Sequence, residues 1–442
     1  MTRLDLPGAP ARGTTGATAQ LRRVEEALDA RAMGPRLAAA LGSAGRGGCA
    51  VLDAKYEPGA RCTVLYRAGD LLVRGDLLAG HPGDPPPGGP ARPVVAPGVR
   101  LSVFPDDPDL PGLAGALDPS ALRGALRDAL PGGGPVLRCR AELLRYRPAR
   151  RATLAVEVRG PAAPRGRRLV VKSYHDGRKA AAVAAEAVLL PATADPDAPL
   201  RFAPVLAHLP DRALVVQEHV RGIHLDEVLR RSGPAPADAL RRAAVALAAL
   251  HRQPVVSRRT RTVDAELDRF AARARRVAGV APAAGAVLVD LAARLAATAD
   301  GLGPGAVALV HGDCKPSQFL LRGEREVVLL DLDSCGRADP AGDVGTFLAT
   351  LRQHALRALL ARRLTPAAAR ARAALAEEFL DAYLAAAGGT RDPGLRRRIT
   401  WYEAVALERK ALRCFARAPR SPLTGALVAA GHGRLDRLGG GR

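Results

Sequence analysis

Two neighbouring stretches of this 442-residue chain carry the residue types that phosphate and metal chemistry needs. The first is Leu309-Val310-His311-Gly312-Asp313-Cys314-Lys315-Pro316-Ser317-Gln318-Phe319-Leu320-Leu321. The second is Val327-Val328-Leu329-Leu330-Asp331-Leu332-Asp333-Ser334. Each is a short apolar run with a polar cluster at its edge. Val307 to Val310 reads as a strand that delivers His311 and Asp313 into a loop. Val327 to Leu330, four aliphatic residues in a row, reads as a buried strand that delivers Asp331 and Asp333. A turn containing Gly323 joins the two into a hairpin-like unit, which places the carboxylates near one another. Close carboxylates are costly unless a cation lies between them. A magnesium ion carrying a phosphate is the natural cation for such a pair.

A cationic counterpart lies earlier in the chain. There are only five lysines, Lys55, Lys172, Lys179, Lys315 and Lys410, so the placement of each is informative. Lys172 ends the apolar strand Leu169-Val170-Val171. The helix expected from Ala180 to Leu190 is nearly all Ala, Val and Leu, with Glu186 as its one charge. An isolated charge on so apolar a helix wants a partner, and Lys172 is the obvious one.

The segment that must position Lys172 has an echo. Lys55-Tyr56-Glu57-Pro58-Gly59-Ala60-Arg61-Cys62-Thr63 is matched by Arg145-Tyr146-Arg147-Pro148-Ala149-Arg150-Arg151-Ala152-Thr153. Each reads as strand, Pro-bearing turn, strand. A third strand is expected at Val99 to Phe104 in the first copy and Leu169 to Tyr174 in the second, with Ser102 standing where the second copy has Lys172. The first copy is longer by a Pro- and Gly-dense loop around His81 to Pro93. The pattern points to a duplicated β unit, whose first copy lacks the lysine and is expected to be structural.

His311-Gly312-Asp313, an amide five residues on, and Asp331 after an aliphatic strand together resemble the aminoglycoside phosphotransferase/choline kinase family, which has the protein-kinase-like fold. The resemblance implies ATP and magnesium as cofactors and a small-molecule hydroxyl as acceptor. It makes Asp313 the catalytic carboxylate that orients that hydroxyl, with Lys315 as a further phosphate contact. Asp331 and Gln318 become metal ligands, with Asp333 as a further metal candidate; Gln318 stands where the family usually has Asn. Lys172 would contact the α- and β-phosphates, held by Glu186. The backbone around Glu218 and Val220, in the strand from Leu214 to Val220, would be the adenine hinge. There is no glycine-rich loop before Lys172; Pro148-Ala149-Arg150-Arg151 sits there, and Arg150 or Arg151 could meet phosphate oxygens. Phosphoryl transfer is mostly positioning and charge neutralisation, which suits these residue types.

Two other readings remain. A protein kinase needs a long activation segment after its metal Asp, whereas a helical pattern starts directly after Asp343 and no Ala-Pro-Glu follows. A non-catalytic nucleotide-binding relative is motivated by Gln318.

The expected fold is α+β and protein-kinase-like, with a small β-rich nucleotide lobe and a larger helical lobe, preceded by a degenerate N-lobe-like unit. The expected boundaries are residues 1–43 for a tail and helix, interrupted at Gly34-Pro35, and 44–133 for the degenerate repeat. The nucleotide lobe is expected over 134–220 and the helical lobe over 221–442, with helices from Pro236 to His251, within Val263 to Gly301, and on to about Ala418. Residues 1 to 17 and the last, Gly- and Arg-rich residues are expected to be poorly ordered.

Composition narrows the partners. The net charge of +22 is nearly all Arg, scattered through a chain rich in Ala, Gly and Pro, and aromatics are only 3%, so no nucleic acid is expected. The six cysteines form no C-x-x-C pair and read as reduced packing residues, Cys314 and Cys335 included. Neither a signal peptide in Met1 to Gln20 nor a membrane-length apolar stretch is apparent, so a cytoplasmic protein is expected. Glu377, Glu378 and Asp381 share one helix but lie in an Arg background, which favours a neutral or anionic acceptor over a polycation.

Overall fold

The computed structural model describes residues 15–439 apart from 79–92, 128, 131–134, 162, 190–198, 232–234, 254–256, 258, 304, 389–391 and 393. The Pro- and Gly-dense loop expected around His81 to Pro93 lies almost wholly outside the described residues, as do residues 1–14 and 440–442.

The chain opens with α1 (Thr15–Ala27) and α2 (Ala30–Leu41). The break falls at Leu28-Asp29, not at Gly34-Pro35. Asp29 caps α2 by accepting from Arg31 N at 2.8 Å, and the helix runs on through Pro35. A five-stranded antiparallel sheet follows: β1 (Cys49–Glu57), β2 (Arg61–Ala68), β3 (Leu71–Leu78), β4 (Val94–Val95) and β5 (Val99–Val103), in the order β1-β2-β3-β5-β4. Two short helices, α3 (Leu113–Leu117) and α4 (Pro119–Arg127), lead on. They cover the next sheet, where Ala116, Leu122 and Leu126 pack with Leu154, Val156 and Val171.

That sheet is made of β6 (Arg138–Arg147), β7 (Arg151–Gly160) and β8 (Ala163–Tyr174), then, after α5 (Gly177–Leu189) and β9 (Leu200–Phe202), of β10 (Val205–Leu209) and β11 (Leu214–Glu218). Its order is β10-β11-β8-β7-β6, the same topology as the first sheet with each strand in its corresponding place. The echo extends to the register. Tyr56 pairs with Cys62 as Tyr146 pairs with Ala152. At the turn, Gly59 and Ala149 share positive φ (79° and 59°).

The register also corrects the alignment of the third strand. Thr63 faces Asp76 on β3, as Thr153 faces Lys172 on β8. The counterpart of Leu169 to Tyr174 is therefore Leu71–Leu78, not Val99 to Phe104, and Asp76, not Ser102, stands in the place of Lys172. The sequence hid β3 because its middle is Arg74-Gly75-Asp76. Gly75 is there because a Cβ would lie 2.6 Å from Val99 Cγ1 and 2.7 Å from Tyr66 Cε2. A carboxylate therefore stands in the first unit where the second has its lysine.

The helical lobe begins with β12 (Ile223–His224), α6 (Leu225–Val228), α7 (Ala235–His251), α8 (Val263–Val280) and α9 (Pro282–Ala299). The short strands β13 (Ala308–Val310), β14 (Phe319–Arg322), β15 (Glu326–Leu329) and β16 (Gly336–Ala338) follow. The chain ends with α10 (Ala341–Leu360), α11 (Pro366–Ala386), α12 (Leu395–Arg417) and α13 (Pro422–Gly439). The last helix replaces the frayed end expected after Ala418; its Leu427, Val428 and Leu435 are buried in the core. The stretch Pro282–Leu302 is long and apolar enough to cross a membrane, contrary to expectation. One face of α9 nevertheless belongs to the protein core, through Leu288, Leu291 and Leu295, and Arg294 on it pairs with Asp436 at 2.7 Å. The whole is the two-lobed, protein-kinase-like α+β arrangement preceded by a second β unit.

The first unit was expected to lie on or beside the nucleotide lobe. It packs on both lobes. Tyr56 meets Phe415 of α12 at 6.3 Å between ring centroids, and Arg417 Nε lies 3.1 Å from Asp53 Oδ1. Toward the second sheet, Leu65, Leu110 and Leu113 pack with Tyr146 and Ala152. Asp107, whose side chain is fully buried, accepts from Tyr146 Oη at 2.8 Å and from Ala149 N at 2.9 Å, and pairs with Arg74. Arg74 is itself buried and also bonds Asp76 at 2.6 Å and Asp109 at 2.5 Å. Every member of this group has partners, which is the condition for a buried polar network to be tolerated.

Two stability predictions follow from buried charges. Asp107→Ala strips Arg74, Tyr146 and Ala149 N–H of a buried acceptor, and should cost about 3–5 kcal/mol, read as a lower urea midpoint. Glu408 on α12 is fully buried with both carboxylate oxygens lacking a hydrogen-bond partner among the described residues, and burial raises its pKa to about 8. The folded state therefore holds a proton that the unfolded state releases above the ordinary value of 4.5. Glu408 should lower stability by about 1.4 kcal/mol per pH unit as pH rises between those two values. Glu408→Gln should thus gain on the parent protein from pH 5 to 8; a constant offset between the two across that range would contradict the assignment.

Candidate active site

The segment that carries His311 and Asp313 leaves β13 at Val310 and is held from behind by one buried carboxylate. Asp343, in the first turn of α10, accepts from His311 N at 2.6 Å and from Gly312 N at 2.8 Å. It also bonds His251 Nε2 at 3.2 Å, while His251 Nδ1 lies 2.7 Å from Tyr383 Oη. Burial works to raise the pKa of Asp343, but the bond from His251 and the backbone bond of His311 outweigh it and leave the carboxyl below its ordinary value. Gly312 is required in its place: its φ is +75° and a Cβ would lie 2.3 Å from Ser334 O.

His311 is fully buried and joins the two motif stretches. Its Nε2 donates to Leu330 O at 2.8 Å, and its Nδ1 accepts from Asp313 N at 3.3 Å. A single neutral tautomer satisfies both bonds. The residue before Asp331 is therefore tied to the residue before Gly312, which sets the spacing of the two carboxylates.

Asp313 is half-buried and paired with Lys315. Burial opposes its ionisation, but Lys315 and then Arg413 and Arg409 of α12 hold its carboxyl below the ordinary value. Asp331 sits in a left-handed conformation, φ 61° and ψ 55°, which turns its side chain out of the β15 line toward the sheet lobe. Arg151 grips it with two parallel bonds, Nη1 to Oδ1 at 2.8 Å and Nη2 to Oδ2 at 3.0 Å. Lys172 Nζ bridges Asp331 Oδ1 at 3.1 Å and Asp333 Oδ1 at 3.0 Å. Asp333 Oδ2 accepts from Tyr174 Oη at 2.9 Å and also pairs with Arg151. Burial would raise the pKa of Asp331; Lys172 and Arg151 reverse that and hold it well below the carboxylate range. Gln318 Nε2 donates to Asp331 Oδ2 at 3.3 Å, and turning the amide would present its oxygen to the same point.

One expected pairing is corrected. Lys172 is bound to Asp331 and Asp333, not to Glu186. Glu186 instead accepts from Ser257 Oγ at 2.6 Å and faces Arg259 Nε at 3.8 Å. The two carboxylates of the Asp331 segment out-compete a single glutamate, and Arg259, which also donates to Asp333 O at 2.9 Å, supplies the cation Glu186 needs. Arg151 lies on carboxylates rather than standing free. Arg150 is exposed, with its backbone N bonded to Arg147 O at 3.1 Å. Glu218 closes β11, its N–H bonded to Pro204 O at 2.9 Å, and Val220 follows at the join between the lobes. Cys314 and Cys335 are free and fully buried in the helical core, as packing residues would be.

Sequence reasoning missed His251, Tyr383, Arg409 and Arg413. The first two sit at a helix end and on a helix face with no local motif, and the last two lie a hundred residues from Asp313 on α12. A cleft beside Gly312, lined in part by Arg261, Glu266, Thr346 and Arg409, went unread for the same reason. Among the described residues, no group of three or more His, Cys, Asp or Glu side chains is arranged to hold a metal ion.

A model of the phosphotransferase enzyme family matches residues 154–397, more than half of the chain. No curated protein matches the sequence. Among solved structures, the chain is similar to a choline/ethanolamine kinase family protein from Mesorhizobium loti, with 20% identity, a TM-score of 0.45, and coverage of 71% of this chain and 92% of that one. It is also similar to a macrolide 2'-phosphotransferase from Brachybacterium faecium, with 21% identity, a TM-score of 0.43, and coverage of 71% and 97%. A glucosamine kinase aligns over 91% of this chain and 97% of its own, at 18% identity and a TM-score of 0.45. With the family model spanning most of the second β-sheet and the helical region that carries His311 to Asp333, the chain belongs to the phosphotransferase enzyme family.

Proposed function

We propose that the protein is a small-molecule kinase that transfers the γ-phosphate of ATP, with magnesium, to a hydroxyl of its acceptor. The observation that carries the reading is the pairing of Asp313 and Asp331 across His311, with Lys172 on the second carboxylate and Lys315 on the first. In this reading Asp313 accepts the proton of the acceptor hydroxyl as its oxygen bonds to the γ-phosphorus. The bond from that phosphorus to the bridging oxygen breaks, and ADP leaves. Lys172 holds the α- and β-phosphates and Lys315 the transferring group, while Arg150 is free to meet phosphate oxygens. The backbone around Glu218 and Val220 takes the adenine.

Asp331 and Gln318 suit a magnesium ion, which takes oxygen ligands and is bound by one or two carboxylates together with the substrate's phosphates rather than by an all-protein cage. In this structure Arg151 holds both oxygens of Asp331 and Lys172 one of them, so a magnesium ion bound there would take the place of part of that cationic compensation. Asp333, with both oxygens engaged by Lys172, Tyr174 and Arg151, is better suited to holding Lys172 in place than to binding metal. Magnesium would neutralise charge on the β- and γ-phosphates. The reading as a protein kinase is disfavoured because α10 begins at Ala341, which leaves no room after Asp331 for a platform that presents a peptide.

Asp313→Asn should retain magnesium-ATP binding and lose turnover by roughly 10²–10⁴-fold, measured as acceptor-dependent ADP release. Unchanged turnover would remove Asp313 from the mechanism. Gln318→Ala should raise the magnesium concentration needed for half-maximal rate more than it weakens nucleotide binding, and Gln318→Asn should be tolerated. Behaviour like the parent protein throughout a magnesium titration would exclude the amide as a ligand. Binding of magnesium-ATP without turnover on any hydroxylated compound would favour the non-catalytic alternative.

A further inference from the structure

Asp331 is saturated with hydrogen-bond donors. An ionised carboxylate offers about four lone-pair sites. Here Oδ1 takes Arg151 Nη1 at 2.8 Å and Lys172 Nζ at 3.1 Å, and Oδ2 takes Arg151 Nη2 at 3.0 Å and Gln318 Nε2 at 3.3 Å. Magnesium uses the same lone pairs, so a donor must leave before a metal reaches this carboxylate. Arg151 is the donor whose departure opens both oxygens, whereas Lys172 and Gln318 cover one each. Lys172 keeps a second carboxylate, Asp333 Oδ1 at 3.0 Å, and Gln318 has only to turn its amide to offer oxygen instead. Asp333, which Arg151 also touches, would retain Lys172 and Tyr174 Oη at 2.9 Å.

The duplicated sheet shows why Arg151 reaches to the other lobe. In the first sheet the corresponding arginine, Arg61, stands in register opposite Glu57, and its Nε lies 3.8 Å from that carboxylate. In the second sheet the residue opposite Arg151 is Arg147. Like charges directly opposite one another on paired strands repel. Among the described residues, the ion pairs of Arg151 are with Asp331 and Asp333. The backbone of the turn before it is anchored, because Asp107 accepts from Ala149 N at 2.9 Å. Release of Asp331 is therefore a matter of side-chain torsions, which leaves the two sheets and their packing as they are.

We propose that Arg151 is a removable counter-ion: it holds Asp331 in the metal-free protein, then gives up that carboxylate to the metal and turns to the phosphates of the nucleotide. A guanidinium meets carboxylate and phosphate with the same paired, charge-assisted bonds, so phosphate oxygens can replace the partner it loses. The proposal rests on the phosphotransferase reading and adds a coupling to it. A metal ion alone must displace Arg151 and offers it nothing in return. A metal ion with a nucleotide supplies the phosphate oxygens. Metal and nucleotide should therefore each tighten the binding of the other by the same factor, and part of that factor belongs to Arg151.

The test uses manganese as a paramagnetic stand-in for magnesium and needs no turnover. Free manganese is read by electron paramagnetic resonance as the full-length protein is titrated without nucleotide. Binding of a fluorescent ADP is read by anisotropy with and without saturating manganese. Arg151→Gln should bind manganese alone about ten-fold more tightly than the parent protein, because no bound state has to be undone first. The factor by which manganese tightens ADP should fall by about as much in that variant. Arg151→Lys keeps the charge without the paired grip and should show both changes in smaller measure. Arg150→Gln removes a charge from the same turn but no bond to Asp331, and should change manganese affinity by less than about two-fold. Manganese binding that is unchanged or weaker in Arg151→Gln overturns the proposal. So does an equal gain in Arg150→Gln, which would make the effect one of overall charge, or an undiminished coupling between manganese and ADP. A parent protein that binds neither manganese nor ADP overturns the proposal and the phosphotransferase reading together. The expected pattern in a protein that never consumes ATP would uphold the role of Arg151 and count against the phosphotransferase reading alone.

Discussion

The contact between the Asp331 segment and the sheet lobe is the interaction on which the rest of the structure depends. Asp331 and Asp333 are two carboxylates within reach of one cation, and close carboxylates are costly without compensation. Arg151, Lys172 and Tyr174 provide it from adjacent strands of one sheet, so the electrostatic need of the helical lobe is met by the other lobe. The backbone carbonyl of Asp333 adds Lys179 of α5 at 2.7 Å and Arg259 at 2.9 Å. Removing any one cation would leave a charged group poorly compensated in a largely buried place, and for that reason the two lobes meet in one geometry.

The surrounding fold makes this contact rigid. Asp343 fixes the backbone of His311 and Gly312, His311 fixes Leu330, and the left-handed Asp331 then points across the cleft. On the sheet side, Asp107 of the first unit holds Ala149 and Tyr146, which flank the turn that leads into Arg151. The first sheet carries Asp76 where the second carries Lys172, and that carboxylate serves the Arg74 network that carries Asp107. Through Asp107 the first unit braces the turn that leads into Arg151.

Much of the site was legible in the sequence because its parts are local. His311, Gly312, Asp313, Gln318 and Asp331 fall within one hairpin, and strand ends deliver side chains at positions that hydrophobic runs reveal. The duplication could be seen in the Tyr-Pro-Arg echo, since a turn demands particular residues at particular spacing. What could not be read depends on contacts distant in sequence. Glu186 was matched with Lys172 at the end of the preceding strand, whereas its partners come from the segment after α7. The strand Leu71–Leu78 was overlooked because Gly75 and two charges interrupt its alternation, each for a packing or ion-pair reason that only the folded neighbours supply. Arg409 and Arg413 lie on a helix whose charges carry no motif, and only its packing beside Asp313 gives them meaning. The helix Pro422–Gly439 was hidden by its glycines, of which Gly431 fits closely over Leu291.

Transfer of a phosphoryl group from ATP to an acceptor hydroxyl at Asp313 can be followed by phosphorus NMR: the protein is incubated with magnesium-ATP and a pool of hydroxylated metabolites that includes acidic ones, and the γ-phosphate signal is monitored. For the proposed kinase this signal falls as a new phosphomonoester resonance rises in equal amount. ATP left intact, or converted to inorganic phosphate at a rate indifferent to the pool, would contradict it.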